Sequence, residues 1–426
     1  MYIKKIDFEN LKSFRKFSWQ LPDTEDPAGW HVLLGDNGAG KSTFIKAVAL
    51  ALIGTDEANK TRQNFAEWVR KGEDTASIRL EISQDEEYDS WTGKGKTKSG
   101  DLSYTVKISD AGELSNYGTP SPTRHIWGKG KGWFSASYGP FRRFTGGNRE
   151  NEKLFYSAPI LARHLSVFGE DIALTETLEW LRNLRFKELE DENCREAKLL
   201  RNIFSFINQN EFLPNHVKMD SVGSEGVFFV DAAGMRIDIG ALSDGYRSVL
   251  SMILELIRQM SICYDTGSIF DNSHTTIKYP GVVFIDEVDV HLHLRWQRKI
   301  GEWLTKHFPR VQFIVSSHSP FVCQSATNGS IWRLPHPSDE TDEGERIQDT
   351  NLERLLYGNI LEALSSGAFG YEVNRSDNAA EMLQELAELN TKAMFESLSA
   401  AEIEKQNVLQ QIFNTNSQIH EPSIVS

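Results

Sequence analysis

The chain has 426 residues, 39% of them hydrophobic and 25% charged, with a formal net charge of −14. That composition supports a large buried core in two or more structural units, and the acidic balance argues against a generally basic nucleic-acid coat, so any DNA contact must be local. Cys194, Cys263 and Cys323 lack metal-ligand or redox spacing, and neither a signal peptide nor an apolar run long enough to cross a bilayer is visible; the chain therefore reads as cytoplasmic.

The first informative stretch, "WHVLLGDNGAGKSTFIKAVALALIG", begins at Trp30. A short apolar run, a glycine-rich loop and an apolar run at helical period predict strand, loop and helix. The loop matches G-x-x-x-x-G-K-[ST] from Gly35 to Ser42. Asn37, Gly38, Gly40 and Thr43 belong to a loop whose backbone N–H groups surround phosphates; Lys41 reaches the β- and γ-phosphates and Ser42 ligates Mg²⁺. A chance match is the competing reading, and the flanking strand and helix pattern favours nucleotide binding.

Two stretches then interleave Lys with Gly, "GKGKTKSG" (93–100) and "HIWGKGKGWF" (125–134). They could grip a phosphate backbone or stack on bases, but two solvated hairpin loops fit the acidic balance better. The strand-like "GWFSASYGPFRRF" carries Tyr138, Gly139 and Arg142. Residues 151–222 contain the helical "ETLEWLRNLRF" and "CREAKLLRNIFSFI", too short and irregular in heptads for a long coiled coil, and predict a compact helical insert. Two strand-like runs, "GVFFVD" and "MRIDIG", lead into "LSDGYRSVLSMILELIRQM". There Ser243 and Gly245 open an apolar helix, either as an ordinary N-cap or as a hydroxyl and bare backbone offered to an anion.

Further on, "PGVVFIDEVDVHLHLRWQRKIGEWL" reads as a buried parallel strand ending in two acids, followed by a helix. Asp286 at the strand end can hold Mg²⁺ through water and Glu287 is placed to polarise an attacking water, against the plainer reading of two acids capping the next helix. His291 and His293 stand at i, i+2, a spacing that does not put both on one helix face and so argues against zinc. "VQFIVSSHSP" ends a further strand at His318, where a γ-phosphate sensor would sit. The acidic "HPSDETDEGERIQD" predicts a linker to a helical tail from about residue 350.

In their order along the chain, "GDNGAGKST", "LSDGYRS", "VVFIDE", "VDVHLH" and "SSHSP" resemble the motifs of ABC-type ATPases of the SMC and RecF branch, over roughly residues 1–150 and 223–335. The opening "IKKIDFENLKSFRKFSWQL" is similar to that branch's first hairpin, which implies that Lys12 approaches phosphate. The resemblance implies an α/β fold: a P-loop ATPase head with an N-terminal antiparallel β part, a mixed or parallel core sheet, a helical insert and a helical C-terminal tail. Its expected divisions are 1–150, 151–222, 223–340 and 341–426. It further implies ATP and Mg²⁺ as ligands, catalysis by Lys41, Glu287 and His318, and Mg²⁺ held by Ser42 and Asp286. Two heads would meet face to face, with Ser243 and Gly245 of one closing on the nucleotide of the other.

Two departures stand out. The signature has Asp244 and lacks the second Gly and the Gln of transporters, which places extra negative charge near phosphate. The place of the glutamine loop is taken by "SYGPFRR", with no Gln. No strand-and-acid pattern of a Toprim nuclease and no His-Asn-His cluster follows. With the compact head, "SASYGPFRR", the "DEVDVHLH" segment, the "SSGAFG" tail and the lack of a fused effector, the chain most resembles the stand-alone ATPase subunits of bacterial anti-phage systems, the Septu type (PtuA) first and the PARIS type (AriA) second. That implies a homo-oligomeric scaffold and a separate nuclease, HNH (PtuB-like) in preference to Toprim, with DNA reached through the complex and no membrane partner. The alternative is a RecF-like repair clamp that closes on DNA with ATP.

Overall fold

The computed structural model describes residues 1–92, 101–119, 121–128, 130–142, 157–169, 175–209, 213, 216–264, 268–336, 339, 341–359, 363, 369, 377–395 and 398–413. The chain divides into a large unit, Met1–Phe369, and a small one, Gly370–Ser426.

The large unit is built on a six-stranded sheet ordered β14-β13-β3-β12-β11-β7. Its strands are β3 (Gly29–Leu34), β7 (Ser135–Tyr138), β11 (Gly281–Ile285), β12 (Val311–Ser316), β13 (Gly329–Arg333) and β14 (Glu345–Arg346). All pair in parallel except the edge strand β14. β3, β11 and β12 are buried along their whole length, which is why each appears in the sequence as a continuous apolar run rather than an alternating one.

Side chains alternate across this sheet into two cores. Trp30, Val32, Val283, Ile285, Phe313 and Val315 face one core; Leu33, Val282, Phe284 and Ile314 face the other. The second core is closed by α1 (Lys41–Ile53) and by an antiparallel sheet ordered β2-β1-β4-β5-β6. That sheet comprises β1 (Tyr2–Leu11), β2 (Phe14–Gln20), β4 (Thr75–Ser83), β5 (Leu102–Ser109) and β6 (Leu114–Gly118). Helix α1 lies between two sheets, so its apolar residues run all round it, and Phe44 meets Phe8 and Phe17 edge-on at 5.3 and 5.9 Å.

The first core is covered by α2 (Thr175–Glu190), α3 (Arg195–Ile207), α4 (Asp244–Tyr264) and α5 (Leu294–His307). A three-stranded antiparallel sheet, β8 (Lys218–Val222), β9 (Val227–Val230) and β10 (Arg236–Asp238), lies before α4. Its first strand falls inside the stretch 151–222 expected to be a compact helical insert. Met219 and Val222 are buried and pair with the β9 register, a signal too short to stand out beside "GVFFVD".

Two further expectations need correction. The segment 125–134 is no solvated hairpin. The indoles of Trp127 and Trp133 donate to Ala51 O and Ser90 O at 2.9 and 2.7 Å, and a Cβ on Gly130 or Gly132 would lie 2.1 or 2.3 Å from the Ser90 or Tyr88 carbonyl. Its glycines serve close backbone packing. The acidic stretch is not a free linker either. It supplies β14, and Arg333 pairs with Asp342 at 2.5 Å and Arg346 with Glu25 at 2.8 Å. Beyond it, α6 (Asp349–Tyr357) buries Leu355 in the first core, so the start of the expected tail belongs to the large unit. The other basic stretch, 93–100, and most of "SSGAFG" lie outside the described residues.

The small unit contains α7 (Asp377–Phe395) and α8 (Ala400–Ile412), which share Leu386, Leu389 and Leu409 as their buried core. Ser399 and Glu402 form a reciprocal capping box at the start of α8. Among the described residues, no helix is long and apolar enough to cross a membrane.

Candidate functional site

Because β3, β12, β11 and β7 are parallel neighbours, their C-terminal ends share one edge of the sheet, the edge where open α/β sheets bind ligands. Gly35, Ser317, Asp286 and Gly139 follow them directly.

After β3, Gly38 and Gly40 take φ values of 87° and 96°, the left-handed region that glycine enters without strain. Gly40 has a second reason to lack a side chain: a Cβ there would stand 2.5 Å from Ser13 Oγ and 2.8 Å from the Phe14 ring. It also opens α1 with no side-chain cap, so the first N–H groups of that helix stay available to an anion. Lys41 lies at this helix start, 7% exposed, with its ammonium donating to Gly35 O at 2.7 Å and Asp36 O at 3.0 Å. Burial lowers its pKa, opposed by the charges of Glu287, Asp286, Asp36 and Asp289. Ser42 and Thr43 are half-buried in the same turn, and Asn37 is exposed in the loop.

Opposite stand the two acids that follow β11. Asp286 is buried; its Oδ1 accepts from Ser316 Oγ at 2.6 Å and its N–H donates to Tyr138 O at 2.8 Å. Glu287 sits at φ 47°, with its N–H donating to the same Ser316 Oγ at 2.8 Å. Non-glycine residues held there are strained, a feature that gathers at functional sites. His318, exposed after β12, has its pKa lowered by partial burial and then by the charge of Lys41, with Asp289, Glu287 and Asp36 opposing. Lys41, Asp286, Glu287 and His318 thus form one electrostatic group. Hydroxyl and carboxylate oxygens from Ser42 and Asp286 are the hard donors that suit Mg²⁺, and Ser316 engages only Oδ1 of Asp286.

Lys12 heads the β1–β2 turn at φ 49°, and its neighbour Ser13 packs on Gly40. Its ammonium lies 5.0 Å from the Trp68 ring centroid, and its pKa is lowered by burial and then by Lys46. Ser243 and Gly245 have other neighbours. They border a cavity of about 440 Å³ with Tyr246, His291, Leu292 and Trp296, and a Cβ on Gly245 would lie 2.6 Å from His291 O. Among the described residues, no hydrogen bond or ion pair joins them to Lys41, whose ammonium bonds Gly35 O and Asp36 O. Asp244 pairs with Arg247, which offsets the charge that the sequence placed in the signature. His293 caps α5, its Nδ1 accepting from Arg295 N at 3.3 Å.

Sequence reasoning missed Ser316, which ties the two acids together, and gave Arg142 no role. Arg142 is buried, and its guanidinium donates to Ser248 Oγ, Gly139 O, Asp286 O and Glu287 O at 3.1, 3.2, 2.9 and 3.1 Å. Burial lowers its pKa to about 10, with Asp286, Asp289 and Glu287 opposing, so it remains a cation at neutral pH.

A glycine-rich loop opening a helix, beside a strand ending in two acids and a neighbouring strand ending in His, is the arrangement of a P-loop ATPase head. The chain belongs to the AAA-domain family: the family model described as "AAA domain" matches residues 5–218. A second model, described as "AAA domain, putative AbiEii toxin, Type IV TA system", matches residues 135–324. The chain is similar to the Septu protein PtuA of Bacillus mycoides (strain KBAB4), 26% identical over 373 residues, covering 87% of this chain and 45% of that protein. It is also similar to the Retron Ec83 probable ATPase of Escherichia coli, 23% identical, covering 78% of this chain and 71% of that protein. The chain thus spans less than half the length of the Bacillus mycoides relative. Among solved structures, an SMC head bound to the C-terminal winged-helix domain of ScpA matches 83% of this chain and 100% of that one, with TM-score 0.48 and 13% identity.

Proposed function

We propose that this chain binds and hydrolyses ATP as a pair of heads and that its nucleotide state controls a separate nuclease in anti-phage defence. The observation that supports it most is that the loop leading into the uncapped N-terminus of α1, the acids Asp286 and Glu287 and the loop bearing His318 all follow neighbouring parallel strands at one edge of the sheet. In this reading the loop from Asn37 to Thr43 holds the phosphates, Lys41 exchanges its two carbonyl partners for phosphate oxygens, and Glu287 polarises the attacking water. His318 orients the terminal phosphate. Ser42 and Asp286 would hold Mg²⁺, which neutralises phosphate charge when bound. Lys12 approaches phosphate from the β1–β2 turn. Ser243 and Gly245 would serve the nucleotide of a second copy.

Similarity to a Septu protein and to a retron ATPase supports the defence setting, with an HNH nuclease as the preferred partner and Toprim second. The test is retention of partners by the tagged chain from its native operon, with and without ATP, alongside ATP turnover. A stoichiometric HNH or Toprim protein and turnover abolished by Lys41→Ala are expected. Turnover unchanged in Lys41→Ala would overturn the site; recovery of only the ATPase with DNA or recombination factors would move the assignment to a repair clamp.

A further inference from the structure

Arg142 lies in the segment that, by resemblance, takes the place of the glutamine loop of transport ATPases, and its bonding is of a different kind from a glutamine's. It is 6% exposed, and among the described residues no carboxylate pairs with it. A glutamine amide has two N–H donors on one atom, whereas the planar guanidinium presents five in a fixed fork. That fork spans three elements. Nη1 and Nη2 reach the carbonyls of Asp286 and Glu287 at 2.9 and 3.1 Å, Nη1 also reaches Gly139 O beyond β7 at 3.2 Å, and Nε reaches Ser248 Oγ in α4 at 3.1 Å.

The two ends of this link matter. At one end, Glu287 is left-handed at φ 47°, a conformation that strains a non-glycine residue and persists only where its surroundings fix it. Ser316 Oγ holds its N–H at 2.8 Å and Arg142 holds its C=O, so both peptides around the residue are gripped. At the other end, Ser248 lies in the first turns of α4, just past the Ser243–Tyr246 turn. An anion drawn to that helix N-terminus acts on the helix end that carries Ser248.

We propose that Arg142 is a positioning residue through which the start of α4 sets the backbone of Glu287, so that capture of a nucleotide at the signature turn is felt at the hydrolytic carboxylate. The inference rests on the ATPase reading above and adds to it a route from Ser248 in α4 to the Asp286 and Glu287 carbonyls. Arg142 itself touches neither phosphate nor water in this scheme.

The test is a double-mutant cycle on the full chain. ATP turnover and binding of a non-hydrolysable ATP analogue are measured for the wild type, Arg142→Lys, Ser248→Ala and the double variant. Analogue affinity and KM should stay within about twofold of the wild type, while kcat falls about tenfold in Arg142→Lys and about threefold in Ser248→Ala. The double variant should be no slower than Arg142→Lys alone, because the serine acts only through the arginine. A merely structural role would lower melting temperature and affinity together instead of splitting kcat from KM. Wild-type kcat in Arg142→Lys, or effects that multiply in the double variant, would overturn the proposal. If Arg142→Lys fails to fold, Ser248→Ala decides alone: wild-type kcat in that variant overturns it. A wild type that never hydrolyses ATP overturns the ATPase reading and this proposal together; an active wild type with unaffected variants overturns this proposal only.

Discussion

Ser316 Oγ donates to Asp286 Oδ1 at 2.6 Å, and the same oxygen accepts the Glu287 N–H at 2.8 Å. One hydroxyl at the end of β12 therefore orients both acids that end β11. Ser316→Ala leaves a buried carboxylate oxygen and a backbone N–H without their partner, a loss of about 1–3 kcal/mol. Urea denaturation should register that loss and ATP turnover should fall with it, while Ser316→Thr, which keeps the hydroxyl, should stay near the wild type. Equal stability of Ser316→Ala and wild type would mean that the hydroxyl does not hold the pair.

Gly40 is the position in the phosphate loop least able to accept a side chain. Its φ of 96° costs an L-residue on the order of 1–2 kcal/mol, before the 2.5 Å approach to Ser13 Oγ is relieved. Gly40→Ala should lose binding of an ATP analogue by isothermal titration, with the rest of the fold intact by circular dichroism. Binding at wild-type strength would show that the loop does not use this conformation.

How much of this was legible beforehand follows from sequence separation. The phosphate loop, the Asp286–Glu287 strand end and His318 each declare themselves in about ten contiguous residues, because strand, turn and ligand group are adjacent in the chain. Arg142 could not be read that way: its partners Ser248 and Asp286 are distant in sequence and meet it only because β7 pairs with β11. The segment 125–134 misled for a related reason. Lys and Gly resemble a solvated loop in sequence, and only the packing of Trp127 and Trp133 makes the glycines a requirement of close approach. The acidic stretch likewise hid its partners, Arg333 and Glu25.

Within α4, Glu255 accepts from Arg258 at 2.7 and 2.8 Å, from Gln259 at 2.6 Å and from Thr177 of α2 at 2.5 Å, all of them buried. Removing one ion of such a pair leaves the other desolvated, at a cost of about 3–5 kcal/mol. Glu255→Ala should therefore destabilise the large unit far more than Thr177→Val, measured by chemical denaturation. Similar losses from the two changes would place the stabilisation in the helix contact instead of the ion pair.

His31 is buried in its neutral form, Nε2 bonded to Pro27 O at 3.0 Å and Nδ1 to Ser330 Oγ at 2.9 Å; burial lowers its pKa to about 4. The unfolded chain binds this proton near pH 6.5, so stability from this residue is full above that pH and is lost as pH falls from 6.5 towards 4. The loss between pH 7 and pH 5 should be about 2 kcal/mol, and His31→Gln should flatten the pH dependence of urea unfolding by that amount. An unchanged slope in the variant would assign the acid sensitivity to other groups.

Paired heads are the central claim, and the sharpest test is the mass of the Glu287→Gln chain by analytical ultracentrifugation with and without ATP. The account predicts an ATP-dependent rise to a larger assembly that persists in Glu287→Gln, is absent from Lys41→Ala because nucleotide no longer binds, and is absent from Ser243→Arg although nucleotide still binds. A mass that stays the same when ATP is bound, or a Ser243→Arg chain that assembles and hydrolyses like the wild type, would contradict it.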